Sequence, residues 1–133
     1  MVSQVARIAR VLLPAAAAAT LLLAPAASAH RRAPTGRASA SCQITGLEAN
    51  LGPTYVSFVQ AGGSAGCSQA LRLITSYYRC RVRNGGVAGY CTAAVEGFRC
   101  EEDRYSVVTV QYDAHVLCTK GRARVRYGYT QIT

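Results

Sequence analysis

The sequence predicts an α+β fold, one helix packed on an antiparallel sheet of about five strands in the order β-β-α-β-β-β, stapled by three disulfides. Three observations carry this expectation. Six cysteines, at 42, 67, 80, 91, 100 and 118, form an even set in a short chain, the usual mark of a disulfide framework. A single segment, opening at Cys67, repeats its apolar residues at helical spacing. The remaining apolar runs are short, alternate with polar residues and are bounded by turn formers, as strands are.

Residues 1–29 read as a Sec-type signal peptide. Arg7 and Arg10 precede the apolar run from Val11 to Ala24, and PAASA then offers small residues for cleavage before His30. The run contains Pro14 and is shorter than the roughly 20 residues a membrane-spanning helix needs, so no transmembrane segment is expected after cleavage. Residues 30–41, HRRAPTGRASAS, have no apolar period and are expected to be a disordered basic arm carrying Arg31, Arg32 and Arg37. Residues 42–133 are expected to be a single disulfide-stapled domain. A domain this small buries only about 60–68% of its unfolded surface, so crosslinks offset a modest core.

CQITGLEA and TYVSFVQA, separated by the turn-forming NLGP, are expected to be the first two strands. GGSAG breaks the pattern, with Ser64 or Ser68 as candidate helix caps. Apolar residues at 67, 70, 71, 74, 77 and 78 line one side of the helix, and NGG at 84–86 stops it. Three further strands are expected beyond Cys91, broken at EEDR and at Lys120-Gly121. With those two residues as the turn, Cys118 opposes Ala123, Leu117 opposes Arg124 and His115 opposes Arg126. Val108, Val110, Tyr112, Ala114, Val116 and Cys118 then share a core face with Val125, Tyr127 and Tyr129. Thr109, Gln111, Asp113 and His115 share the solvent face with Arg122, Arg124 and Arg126.

Cys67 and Cys80 sit roughly 20 Å apart along a helix and cannot bond to each other. Cys80 is expected to join Cys91 across the short, glycine-rich RVRNGGVAGY. Of the three pairings left, Cys67 with Cys100 and Cys42 with Cys118 are preferred, because Cys100 shares a strand face with Phe98 and Cys118 lies on the core face. No C-x-x-C pair suggests a metal or redox site, and no cofactor is expected.

GCSQALRLITSYYRC, then VEGFRC, then VLCTKGRARVRYGYTQIT resemble the framework of small secreted disulfide-bonded proteins of actinobacteria. The shared features are Cys67 opening the helix, the Gly97-Phe98-x-Cys100 strand, and Cys118 just before Gly121. The resemblance implies export and disulfides, and it brings no activity with it.

Fifteen basic side chains, less Arg7 and Arg10, leave thirteen against six acidic ones, a formal +7. Such a charge favours anionic partners. The leading expectation is a non-enzymatic extracellular binding module for an anionic cell-envelope polymer or a secreted protein. Its candidate anion-binding face comprises Arg122, Arg124, Arg126, Asp113 and His115, with Arg104 and the arm arginines extending a basic stripe. Sequence-specific nucleic-acid binding is not expected, since the last strand's tyrosines face the core. One alternative is a small secreted hydrolase, ribonuclease-like or wall-acting, with Asp113 and His115 as first candidates. Glu96 and Arg99, the other residue types such an enzyme would use beside His115, fall on opposite faces of an unbulged strand. Another alternative is a protease inhibitor presenting loop 81–90 through Arg81 and Arg83. GGSAG lacks the Lys-Ser/Thr ending of a phosphate-binding loop and is read as a cap.

Overall fold

A computed structural model describes residues 38–133; the expected signal segment, residues 1–29, and Arg31, Arg32 and Arg37 lie outside the described residues. Five strands, β1 (Ala40–Ser41), β2 (Tyr55–Gly62), β3 (Arg99–Val108), β4 (Gln111–Lys120) and β5 (Ala123–Ile132), form one sheet in the order β1-β2-β5-β4-β3. All neighbours run antiparallel. Helix α1 (Cys67–Arg83) follows β2 and covers one face. The expected element order is therefore present.

Placement of the elements differs in three ways. CQITGLEA is not a strand: from Thr45 to Asn50 it turns, with Leu47 N–H on Ile44 O (2.7 Å) and Asn50 N–H on Leu47 O (2.8 Å). The short β1 precedes it instead, in the last residues assigned to the arm. EEDR is not a break either but the middle of β3, and the turn falls at Thr109-Val110. Val108 and Val110, expected in the core, thus stand at the hairpin tip, 60% and 61% exposed. Finally, the β4–β5 turn is Gly121-Arg122, with Lys120 opposite Ala123. Gly121 takes φ 55°, a left-handed conformation that glycine adopts without penalty at the first central turn position.

Moving that turn shifts the register by two residues and so preserves the parity of both faces. Cys118 opposes Val125, Leu117 opposes Arg126 and His115 opposes Gly128. Tyr112, Ala114, Val116 and Cys118 are buried with Val125, Tyr127 and Tyr129, beneath Ala70, Leu73, Ile74 and Tyr77 of α1. The helix begins at Gly66 with no side-chain cap, so neither Ser64 nor Ser68 serves there. Asn84 ends it, its Nδ2 donating to Cys80 O at 3.0 Å.

Cys80 bonds to Cys91 as expected, but the other two pairs are Cys42–Cys67 and Cys100–Cys118. The continuous β3 explains the change. It sets Cys100 directly opposite Cys118, with Cα atoms 4.0 Å apart, and this leaves Cys67, at the start of the helix, to take Cys42. A fold closed by three disulfides belongs in an oxidising compartment. No helix among the described residues is long and apolar enough to cross a membrane.

Charge lies under the helix as well as on the surface. Glu102 and Arg104 point to the helix side of β3, where the Glu102 side chain is 2% exposed and pairs with Arg104 and with Arg81 (3.5 Å). Arg81 is fully buried. Its Nε donates to Gly89 O and its Nη2 to Val87 O and the Tyr112 hydroxyl, while Arg104 donates to Ala88 O and Gly89 O. The segment after the helix is therefore held from inside by two guanidinium groups, and Arg81 packs on the Tyr129 ring at 4.7 Å.

Burial, with the Glu102 carboxylate next, pushes the hydroxyls of Tyr77 and Tyr129 well above the ordinary tyrosine value of 10.0. Burial and then the neighbouring Tyr77 do the same to Tyr127. A group whose value is raised on folding contributes stability below its unfolded value and loses it as pH climbs. We therefore expect stability to fall as pH rises beyond about 10, where unfolded tyrosines ionise. In an ultraviolet titration these three should ionise only together with loss of the fold; ionisation within the intact fold near pH 10 would contradict the packing.

Candidate functional site

The sheet's other face carries no helix, and its side chains follow from strand alternation: successive residues point to opposite faces, so one set is left outward. The register arranges that set in rows. Arg99, Thr119 and Arg124 form one; Glu101, Leu117, Arg126 and Gln60 the next; then Asp103, His115, Gly128 and Phe58; then Tyr105, Asp113 and Thr130. Ser39, Gln60, Glu101, Asp103, His115, Leu117, Arg124 and Arg126 line an open cleft of about 680 Å³ on this face.

The columns differ in charge. β3 contributes the carboxylates Glu101 and Asp103, β4 the half-buried His115, and β5 the exposed Arg124 and Arg126. Neighbouring strands are about 4.8 Å apart, so the backbones that carry the acids and the arginines are separated by roughly 10 Å, and no ion pair joins the two columns among the described residues. Among the described residues both ion pairs, Arg81 with Glu102 and Arg104 with Glu102, lie under the helix. Arg122, Arg124 and Arg126 have no such partner there. Arg122 stands exposed in the β4–β5 turn.

His115 sits in a more specific setting. Its Nε2 lies 3.2 Å from the Tyr105 hydroxyl, and Asp103 is its direct cross-strand neighbour. The Tyr105 ring lies 4.9 Å from the imidazole and the Phe58 ring 5.7 Å from it, centroid to centroid. Phe58 reaches so far because Gly128 stands between them without a side chain: a Cβ there would meet Phe58 Cε1 at 2.5 Å.

No family model, curated protein or solved structure matches this chain.

Asp113 and His115 do share the open face with the arginines, but Asp113 is not beside them. The two-residue register shift carries Arg124 and Arg126 toward the turn, opposite Thr119 and Leu117, and Asp113 instead accepts a 2.6 Å hydrogen bond from Thr130 Oγ1. The carboxylates near His115 come from β3. Arg81 is not displayed on a loop: it lies within α1, pointing inward, so loop 81–90 offers no inhibitory basic residue at that position. Arg83 ends the helix and lines a small groove with Ser76, Arg79 and Glu96, where Ser76 Oγ donates to Glu96 Oε1 at 2.8 Å. Glu96 occupies a tight turn between Val95 and Phe98, with φ 52°, while Arg99 begins β3. The two do not converge on His115. Arg104 belongs to the buried cluster and not to an outer stripe. No group of three or more His, Cys, Asp or Glu that could hold a metal ion occurs among the described residues.

The residues missed from sequence are Glu101, Asp103, Tyr105 and Phe58. The first three alternate in R-C-E-E-D-R-Y, a period-2 signal that becomes visible once EEDR is read as strand.

Proposed function

We propose that the protein is a secreted, non-enzymatic binding module that takes an anionic polymer outside the cell on the open face of its sheet. The observation that carries this is the pair Arg124 and Arg126, two residues apart on β5, both exposed, both lining the cleft and neither held in an ion pair among the described residues. Alternate residues of one strand stand about 7 Å apart, so the two guanidinium groups can engage successive anionic groups of a chain. Exposed Arg99 and Arg122 extend the basic end. A signal peptide, the disulfides and the resemblance to exported actinobacterial proteins support the location.

Binding of this kind releases counterions and weakens as salt rises. Replacing both Arg124 and Arg126 with alanine should reduce affinity for a phosphate-rich polymer at least tenfold and flatten its salt dependence, as measured by titration at several ionic strengths. Unchanged binding in the double variant would remove the proposal.

A second reading rests on one observation, the cross-strand pairing of His115 with Asp103 beside arginines and the Tyr105 hydroxyl. An imidazole and carboxylates facing cations across a cleft are the residue types of acid–base hydrolysis of a phosphodiester. Incubation of the protein with RNA decides between the readings. Cleavage that His115→Ala abolishes would make the protein an enzyme; binding without cleavage keeps it a module.

A further inference from the structure

We infer that the polymer taken by this face is single-stranded nucleic acid, bound by stacking of bases on Phe58, His115 and Tyr105 and by phosphate contacts to Arg124 and Arg126. The inference rests on the anion-binding reading above and adds the chemistry of the repeating unit.

The three rings form a band across the sheet from β2 to β3, joined through His115 at 5.7 and 4.9 Å. The vacancy at Gly128 lets the Phe58 ring lie across the floor of the face, and a side chain there would drive it off. Tyr105 remains 42% exposed, so an aromatic surface faces solvent instead of being consumed in the core. The rings flanking His115 are tilted against it at 52° and 63°, so neither is stacked face to face on the imidazole.

Arg126 lies one row from this band, two residues along β5 from Gly128, or about 7 Å. That is the scale on which a nucleotide separates base from phosphate. Base stacking beside a basic groove is the common device of proteins that hold single strands without reading sequence. Asp103 fits the same polarity: it stands in the row of His115 and Phe58, where it repels phosphate and accepts N–H groups of base edges, so bases belong at the aromatic end and phosphates at the arginine end. A polyol phosphate would engage the arginines and leave the rings idle. Only a polymer with a phosphate and a planar ring in every unit uses both.

The test is fluorescence anisotropy of the purified protein with a labelled single-stranded oligonucleotide, an abasic oligonucleotide of equal length, and poly(glycerol phosphate), at one salt concentration. The oligonucleotide should bind at least tenfold tighter than the abasic strand. Tyr105→Ala, at an exposed position, and Phe58→Leu, which keeps apolar volume, should each weaken it by roughly fivefold to a hundredfold while leaving the abasic strand unaffected. Equal binding of all three polymers, or indifference of the oligonucleotide to both variants, overturns the inference and leaves the anion-binding reading standing. Absence of binding to any of them, or binding indifferent to loss of Arg124 and Arg126, overturns both.

Discussion

Replacing Glu102 with leucine should destabilise the protein by about 3–5 kcal/mol, the cost of stranding buried charge without its partner. The Glu102 side chain is 2% exposed and is the carboxylate that pairs with both Arg81 and Arg104, whose side chains are 0% and 10% exposed. Leucine fills much of the volume but leaves two guanidinium groups beneath the helix with carbonyls, the Tyr112 hydroxyl and aromatic faces alone. The effect should appear as a lower denaturant midpoint at unchanged slope. The double variant Arg81→Met, Glu102→Leu should lose clearly less than the two single variants together, because the second change removes one of the charges the first one strands. A loss below about 1 kcal/mol for Glu102→Leu would show that water reaches the cluster.

The Cys42→Ala, Cys67→Ala variant should lose about 3.5 kcal/mol on the chain-entropy account, since this bond spans a separation of 25 residues. By the same account the bond at separation 11 contributes about 2.8 kcal/mol and that at separation 18 about 3.2 kcal/mol. Local structure gives the first bond extra weight. Helix α1 opens on Gly66 without a side-chain cap and has no acidic residue in its first turn, so the devices that usually hold a helix start are missing. The crosslink at Cys67 takes their place. Hydrogen exchange should therefore show the first turn of α1 losing protection in this variant more than the last turn, which Cys80–Cys91 and Arg81 still hold. Uniform loss along the helix would argue against a local anchoring role.

Much of the architecture is legible in the sequence because it follows from periodicity. The helix announces itself through the spacing of Ala70, Ile74 and Tyr77, and the two faces of the β4–β5 hairpin survive a misplaced turn because a two-residue error leaves alternation intact. What is not legible depends on long-range pairing. EEDR reads as a break because four charged residues in a row seldom belong to a half-buried strand, yet here Glu102 pairs with both Arg104 and Arg81 beneath a helix that the local sequence does not reveal. Thr109-Val110 is hidden as a turn because neither residue is a turn former. These two misreadings displaced Cys100 from its partner and concealed the carboxylate column of the open face. Arg81 could have been found: it falls four residues after Tyr77 and seven after Ile74, squarely on the buried stripe, and only its charge argued for the surface.

The order of the crosslinks has a consequence for biogenesis. Each cysteine is joined to the next one along the chain, 42 to 67, 80 to 91, 100 to 118, with no bridge straddling another. A polypeptide emerging amino terminus first meets every correct thiol before any competing one arrives. Oxidation can thus proceed vectorially, pair by pair, and acquisition of the native bridges does not depend on an isomerase to undo mistakes.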